Sequence, residues 1–318
     1  MDQSNQVADL GIVFPGQGSQ SIGMLGDLAG NFPVVKSTFD QASTVLGYDL
    51  WARAQEGPEE LLNQTACTQP AMLAAGVATW RCWQAGTDRI PAMMAGHSLG
   101  EYTALVCAGA IDFESTIALV EKRGKYMQQA VPEGVGGMAA LLGLDDDTVV
   151  TLCAEAAGNE VVSAVNFNSP GQVVIAGNLA AVERAMELAK QAGARRVLSL
   201  PVSMPSHCSL MQPAAEKLAA DLAIVDIHAP EIPVLHNVDV SAHPDADGIR
   251  AALAGQLYSP VRWVETVQAM KASGITRVAE LGPGKVLAGL NKRIDKSVPG
   301  ILVQTAKDLG SILAEVND

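Results

Sequence analysis

Met94-Ala-Gly-His-Ser-Leu-Gly-Glu-Tyr102 is the stretch on which the reading of this chain turns. It holds G-x-S-x-G as Gly96-His97-Ser98-Leu99-Gly100. An apolar segment, residues 90–95, precedes it and a helix-like run, residues 99–110, follows. Strand, sharp turn and helix are the context that a nucleophile elbow requires. The glycines allow a tight turn and keep side chains away from the serine. Ser98 would then sit at a helix N-terminus, where free N–H groups and the helix dipole favour an oxyanion. The bland alternative is an ordinary Gly-rich strand–helix turn, so a base and a substrate anchor have to be found elsewhere.

Working outward, 318 residues suffice for one large domain or two unequal ones. A composition of 48% hydrophobic and 17% charged residues is globular rather than disordered. Apolar runs fall short of the roughly 18 residues needed to span a bilayer. Residues 1–9 contain Asp2 and Asp9 and no Lys or Arg, unlike a signal peptide. Cys67, Cys82, Cys107, Cys153 and Cys208 are scattered and odd in number, which reads as reduced thiols in a cytoplasmic protein. The five histidines show no metal-ligand spacing, so no metal is expected. A net charge of −13 argues against nucleic acid and anionic membrane as partners.

Residues 10–14 read as a buried strand broken by Pro15-Gly-Gln-Gly-Ser-Gln20. Ser21 stands where a third glycine of a dinucleotide loop would be, so this segment reads better as backbone N–H groups facing a site at the carboxyl end of a strand. Helices are predicted over 33–46, 58–62 and 69–85, and again over 114–129, where Arg123 sits among apolar positions. Arg123 is either on a solvated face, in a structural ion pair, or an anion anchor, a task its planar fork suits. From the Gly/Pro-rich break at 132–137 the order becomes β-α-β-β-α-β: strand 138–144, helix 145–157, strands 161–167 and 172–176, helix 179–192, strand 195–202. That order predicts a ferredoxin-like subdomain over 131–203. Beyond it lie Pro205-Ser-His207 and a helix over 209–222. His207, at a strand-to-helix junction, is either a capping or packing histidine or the general base. The other histidines have poorer settings: His97 is adjacent to Ser98, His228 and His243 lie in polar loops, and His236 falls in a predicted strand, 233–238. Helices at 248–255, 261–273 and 285–294 and strands at 277–281 and 301–304 complete an α/β pattern with mostly parallel strands.

With these pieces placed, the chain resembles the malonyl-CoA:acyl carrier protein transacylase family. The residues that carry the resemblance are Phe14-Pro-Gly-Gln-Gly-Ser-Gln20, Gly96-His-Ser-Leu-Gly-Glu-Tyr102, Arg123, Asn166-Phe-Asn-Ser-Pro-Gly-Gln-Val-Val174, Pro205-Ser-His-Cys208 and Glu280-Leu-Gly-Pro-Gly284, in family order. The resemblance implies an α/β-hydrolase-like core, residues 1–130 and 204–318, carrying the ferredoxin-like insertion. It implies Ser98 as nucleophile, His207 as base, backbone N–H groups of Gln17 and Leu99 as oxyanion hole, Arg123 as holder of the malonyl carboxylate, and a backbone carbonyl at Gln256 orienting His207. It further implies malonyl-CoA and acyl carrier protein as partners, ping-pong transfer through a malonyl-serine ester supplying fatty-acid elongation, and no cofactor. A monomer is expected.

Because the carrier protein in such systems is acidic, Arg195, Arg196, Lys292 and Arg293 are candidates for a basic docking patch, the alternative being solvated surface charge. A serine esterase or thioesterase using the same pair, a non-catalytic carrier-protein-binding protein, and an acyltransferase of polyketide or malonate metabolism remain open. Met204 and Ser206, which flank Pro205, are where selectivity between malonyl and methylmalonyl would be read.

Overall fold

The computed structural model describes residues 5–202 and 204–317. Ser203, the last residue of the predicted 131–203 segment, lies outside the described residues, as do residues 1–4 of the charge reading at the N-terminus and Asp318. The described residues fold as a mixed α/β protein with two sheets. Nine strands are found among them: β1 Gln6–Phe14, β2 Ile90–Gly96, β3 Gly136–Leu142, β4 Val162–Ser169, β5 Gln172–Asn178, β6 Arg196–Ser199, β7 Val234–Leu235, β8 Arg277–Leu281 and β9 Gly300–Val303.

The larger sheet has the order β7-β2-β1-β8-β9, and every pairing in it is parallel. β1 lies at its centre, and its last five residues, from Leu10 to Phe14, are buried, as an apolar strand covered on both faces must be. From β1 the connection to β2 runs to one side, while β8 and β9 extend the sheet on the other. A crevice at the carboxyl ends of such strands is the usual place for a ligand site in open α/β sheets. Phe14 pairs with Gly96 at those ends, so the 15–20 loop and the Ser98 turn emerge side by side. The long helix Thr65–Gly86 is buried on nearly all sides, which explains why its sequence is apolar without a clear stripe.

The smaller sheet is antiparallel, in the order β4-β5-β3-β6. Its strands alternate with period two. Ala139, Leu141, Val173 and Ile175 pack against the helices Asp146–Ala157 and Leu179–Gln191. Met138, Ala140, Val174 and Ala176 face the other way and cluster with Cys208. β4 is tied to the rest of the chain by Phe167 N–H donating to Val261 O and Val261 N–H donating to Val165 O.

Element boundaries depart from expectation in places with clear causes. β1 begins four residues earlier than predicted and β6 is only half the predicted length. The predicted strand 233–238 is cut to Val234–Leu235, because His236 and Asn237 turn inward to bond polar groups. The predicted helix 209–222 begins as a 3-10 turn, Ser209–Met211, before the α-helix Gln212–Leu222. Three helices had no counterpart in the prediction: Gly26–Asn31, Leu50–Glu56 and Ala306–Asn317. None of the helices among the described residues is long and apolar enough to cross a membrane.

Candidate active site

The turn after β2 takes its shape from close backbone packing. A Cβ on Gly96 would lie 1.9 Å from the Gly100 carbonyl carbon, and one on Gly100 would lie 2.0 Å from Phe14 O. Only glycine fits at either place. Between them Ser98 adopts φ 50°, a left-handed conformation that side chains rarely take. The helix Gly100–Cys107 starts directly after it. His207 is also left-handed, at φ 66°, and its N–H donates to Leu257 O.

These two strained residues meet. Ser98 Oγ–H donates to His207 Nε2 over 2.8 Å, and His207 Nδ1–H donates to the backbone carbonyl of Gln256 over 2.7 Å. The tautomer follows from the second bond, which leaves Nε2 with the lone pair that accepts the serine proton. Burial, and next the Arg123 cation, push His207 down to about 3. The imidazole is therefore neutral, in the form a general base requires. The buried Arg123 is held within the same cluster, Nη2 donating to Gln256 Oε1 at 2.9 Å and to Ser98 Oγ at 3.3 Å. Its guanidinium carbon lies 5.2 Å from the Tyr102 ring centroid. Burial pulls the guanidinium below its usual range, opposed by Tyr102 and Glu101. Arg123 Nε is buried without a protein partner among the described residues.

All of this opens on a cavity of about 510 Å³. Ser98, His207, Arg123, Gln17 and Leu99 line it, and so do Met138 and Asn166 of the smaller sheet. The site thus lies between the carboxyl ends of the larger sheet's strands and residues of the smaller sheet. Met204 and Ser206 line the same cavity, beside His207. Gln256 is fully buried behind it. Arg195, Arg196, Lys292 and Arg293 are exposed, and Arg293 Nη1, from the helix Val286–Ile294, donates to Gln172 Oε1 of β5.

The remaining sequence candidates find other partners. His97 Nε2 bonds Asn168 Oδ1 at 2.9 Å, and burial lowers its basicity, so it takes no part in the Ser98 pair. Cys208 Sγ–H donates to Pro205 O, and burial pushes its thiol up to about 11. Sequence reasoning missed Gln69 and Asn237. Gln69 lines the cavity from the long buried helix, its Nε2 donating to Met127 Sδ at 3.5 Å. Asn237 Oδ1 accepts the Ser98 N–H at 2.7 Å. Neither lies in a motif; the polar Gln69 within an apolar helix was the one available signal.

A serine bonded to a neutral histidine, beside a buried cation and at the carboxyl end of a parallel sheet, defines a covalent acyl-transfer or hydrolytic centre. The comparison with known proteins narrows this. Residues 12–308 match the acyl transferase domain, and the chain belongs to that family. It is 60% identical over 282 residues to the malonyl CoA-acyl carrier protein transacylase of Salmonella typhimurium, covering 89% of this chain and 91% of that one. It is 42% identical over 317 residues to the Bacillus subtilis protein of the same name, at 98% and 99% coverage. Among solved structures, an acyl carrier protein S-malonyltransferase from Vibrio cholerae superposes with a TM-score of 0.94 at 60% identity, over 96% of this chain and 99% of that one. A malonyl-transacylase in complex with a type II polyketide acyl carrier protein gives 0.96 at 56% identity, with 96% and 99% coverage.

Proposed function

We propose that the chain transfers the malonyl group of malonyl-CoA to the phosphopantetheine thiol of acyl carrier protein, supplying fatty-acid elongation. The observation that carries the reading is Arg123, a buried cation 3.3 Å from the candidate nucleophile in one shared cavity. An esterase for neutral acyl groups has no use for such a charge, whereas an acyl group ending in a carboxylate does.

In the proposed mechanism, Ser98 Oγ attacks the thioester carbonyl carbon while its proton passes to His207 Nε2. The negative charge developing on the carbonyl oxygen is met by the backbone N–H groups of Gln17 and Leu99. Collapse breaks the C–S bond, and the imidazolium returns its proton to the departing coenzyme A sulfur. The carrier-protein thiol then gives its proton to His207 and attacks the malonyl-serine ester. Collapse of that second intermediate returns the proton to Ser98 Oγ. Arg123 holds the carboxylate throughout, so the ester carbonyl stays aligned for thiol attack and water has limited access.

The carrier protein is assigned to fatty-acid synthesis; the polyketide-carrier complex of a 56% identical neighbour supports the second reading, a carrier of polyketide synthesis. Arg195, Arg196, Lys292 and Arg293 are proposed as part of its docking patch, their exposure being what supports them. We further read residues 1–130 and 204–318 as an α/β-hydrolase-like catalytic domain and 131–203 as a ferredoxin-like subdomain. The strand order β4-β5-β3-β6 and the β-α-β-β-α-β succession support the latter. The reduced thiols support a cytoplasmic location, and a monomer is the working state.

Intact mass after mixing with malonyl-CoA tests the function. One added malonyl group, absent in Ser98→Ala and discharged by holo carrier protein, is expected. Decay of the adduct in buffer alone would make the protein a hydrolase, and absence of any adduct would exclude malonyl-CoA as the donor.

A further inference from the structure

Beneath the site lies a buried carboxylate that the mechanism above does not use. Glu101, in the first turn of the helix Gly100–Cys107, has no solvent exposure. A carboxylate there is sustained only by donors. Its Oε2 accepts from Asn237 N–H and from Gln256 Nε2, both at 2.8 Å, and its Oε1 accepts from His236 Nδ1 at 2.8 Å. One side chain therefore binds together the elbow helix, the segment after β7 and the last residue of the helix Ala246–Gln256.

Two of the groups that Glu101 holds, Asn237 and Gln256, grip reacting residues in turn. Asn237 spans the elbow, Oδ1 accepting from Ser98 N–H and Nδ2 donating to Gly96 O, both at 2.7 Å. Gln256 Nε2 donates to Ser98 O at 3.0 Å. Both peptide groups flanking the left-handed Ser98 are thus fixed by side chains from outside the turn. Gln256 also presents its backbone carbonyl to His207 and its Oε1 to Arg123. A left-handed serine costs roughly 1–3 kcal/mol and persists only where its surroundings over-determine it.

We propose that Glu101 and Asn237 are positioning residues for acyl transfer: Glu101 orients Asn237 and Gln256, and through them sets Ser98, His207 and Arg123 relative to one another. The inference rests on the malonyl-transfer reading. It concerns hydrogen-bond geometry rather than charge, and this distinction gives the test. In Glu101→Gln the carbonyl oxygen can replace Oε2 and keep both of its donors. The amide can replace Oε1 and donate to His236 Nδ1 once His236 carries its proton on Nε2, an atom with no protein partner among the described residues.

The experiment is rapid-quench acylation by malonyl-CoA of the full chain, read as burst amplitude and as rate constant per active site. Asn237→Ala and Glu101→Ala should each slow acylation about 100-fold at undiminished amplitude, with half-saturation by malonyl-CoA in Asn237→Ala within about twofold of wild type. Glu101→Gln should recover the rate to within about fivefold. Should Glu101→Ala not fold, Asn237→Ala and Glu101→Gln carry the test. A reduced amplitude with surviving sites reacting at the wild-type rate would reduce the network to fold maintenance and overturn the proposal. Glu101→Gln reacting about 100-fold slower than wild type would overturn it in favour of a charge effect. Wild-type protein that forms no malonyl ester would instead overturn the functional reading itself.

Discussion

Replacing Arg123 with alanine separates the proposed anchor from a structural ion pair. A guanidinium carries five N–H donors. In the structure Nη2 is bonded to Gln256 Oε1 and Ser98 Oγ, while the buried Nε has no protein partner among the described residues. The fork is thus only partly used, and a malonyl carboxylate would complete it. Removing one partner of a buried, hydrogen-bonded charge pair costs about 3–5 kcal/mol, or roughly 150- to 5,000-fold in kcat/KM. Acetyl-CoA brings no carboxylate. For that donor the variant loses the Nη2 bonds to Ser98 Oγ at 3.3 Å and to Gln256 Oε1 at 2.9 Å, which it loses with malonyl-CoA too, but no bond to the acyl group. Transfer to carrier protein, followed by mass spectrometry with each donor, gives the two ratios. Malonyl transfer should fall at least about tenfold more than acetyl transfer. Equal losses for both donors would refute the anchor and leave Arg123 as scaffolding.

The same variant has a signature in pH. The neutral form of His207 is the active one, and burial followed by the Arg123 cation holds it down to about 3, below its ordinary 6.5. Loss of the cation leaves burial in place and removes the second cause. The acid limb of the acetyl-transfer profile should therefore move to higher pH in Arg123→Ala, towards 6.5 but short of it. An unmoved limb would mean that Arg123 does not act on His207.

Burial raises the Glu280 carboxyl to about 7 from its ordinary 4.5, against the backbone N–H groups of Leu287 and Ala288 that it caps. The folded state then holds a proton that the unfolded state releases between those values, so stability falls as pH rises through them, by about 3 kcal/mol in all, and urea midpoints of Glu280→Gln should lack that decline. Gly100→Ala would drive a methyl to 2.0 Å from Phe14 O and should cost more than about 4 kcal/mol or prevent folding, measurable as loss of soluble protein or of the unfolding transition. Reversing Arg195, Arg196, Lys292 and Arg293 to glutamate should raise KM for carrier protein about tenfold or more at low salt, leave KM for malonyl-CoA unchanged, and lose its effect at high salt. An unmoved carrier-protein KM would place docking elsewhere.

The legible parts of this site were those written in backbone constraints. Gly96 and Gly100 announce the elbow because no other residue fits where their backbones meet each other and Phe14 O, and the β-α-β-β-α-β succession over 138–202 announces the smaller sheet. Arg123 was visible as a lone cation in an apolar helix face, but its choice between surface and anchor was not, because burial there depends on helices far away in sequence. Asn237 was invisible. It sits 139 residues from Ser98, in a two-residue strand's exit where no periodicity operates, and what makes it matter is a pair of bonds that exist only in the folded chain. Glu101 lay inside the quoted motif and still went unread, since a glutamate in a first helical turn is usually a solvated favourable charge rather than a fully buried one.

Why a carbonyl, rather than a carboxylate, orients His207 follows from the proposed task. Gln256 offers O to His207 Nδ1 and Oε1 to Arg123 from one residue. A carboxylate in the place of that carbonyl would lie close to the guanidinium. At 4 Å and an effective dielectric constant near 20 the two would attract by about 4 kcal/mol. The malonyl carboxylate would then have to compete with an internal anion for its own anchor. It would also find a more basic His207, because a neighbouring anion favours the imidazolium. A neutral dipole fixes the ring's orientation without either consequence. The nearest buried carboxylate, Glu101, meets this cluster through the Gln256 amide at 2.8 Å rather than touching His207. An enzyme that must keep one cation free for an acidic acyl group thus has a physical reason to use a two-member pair instead of a triad, and a hydrolase of neutral esters has none.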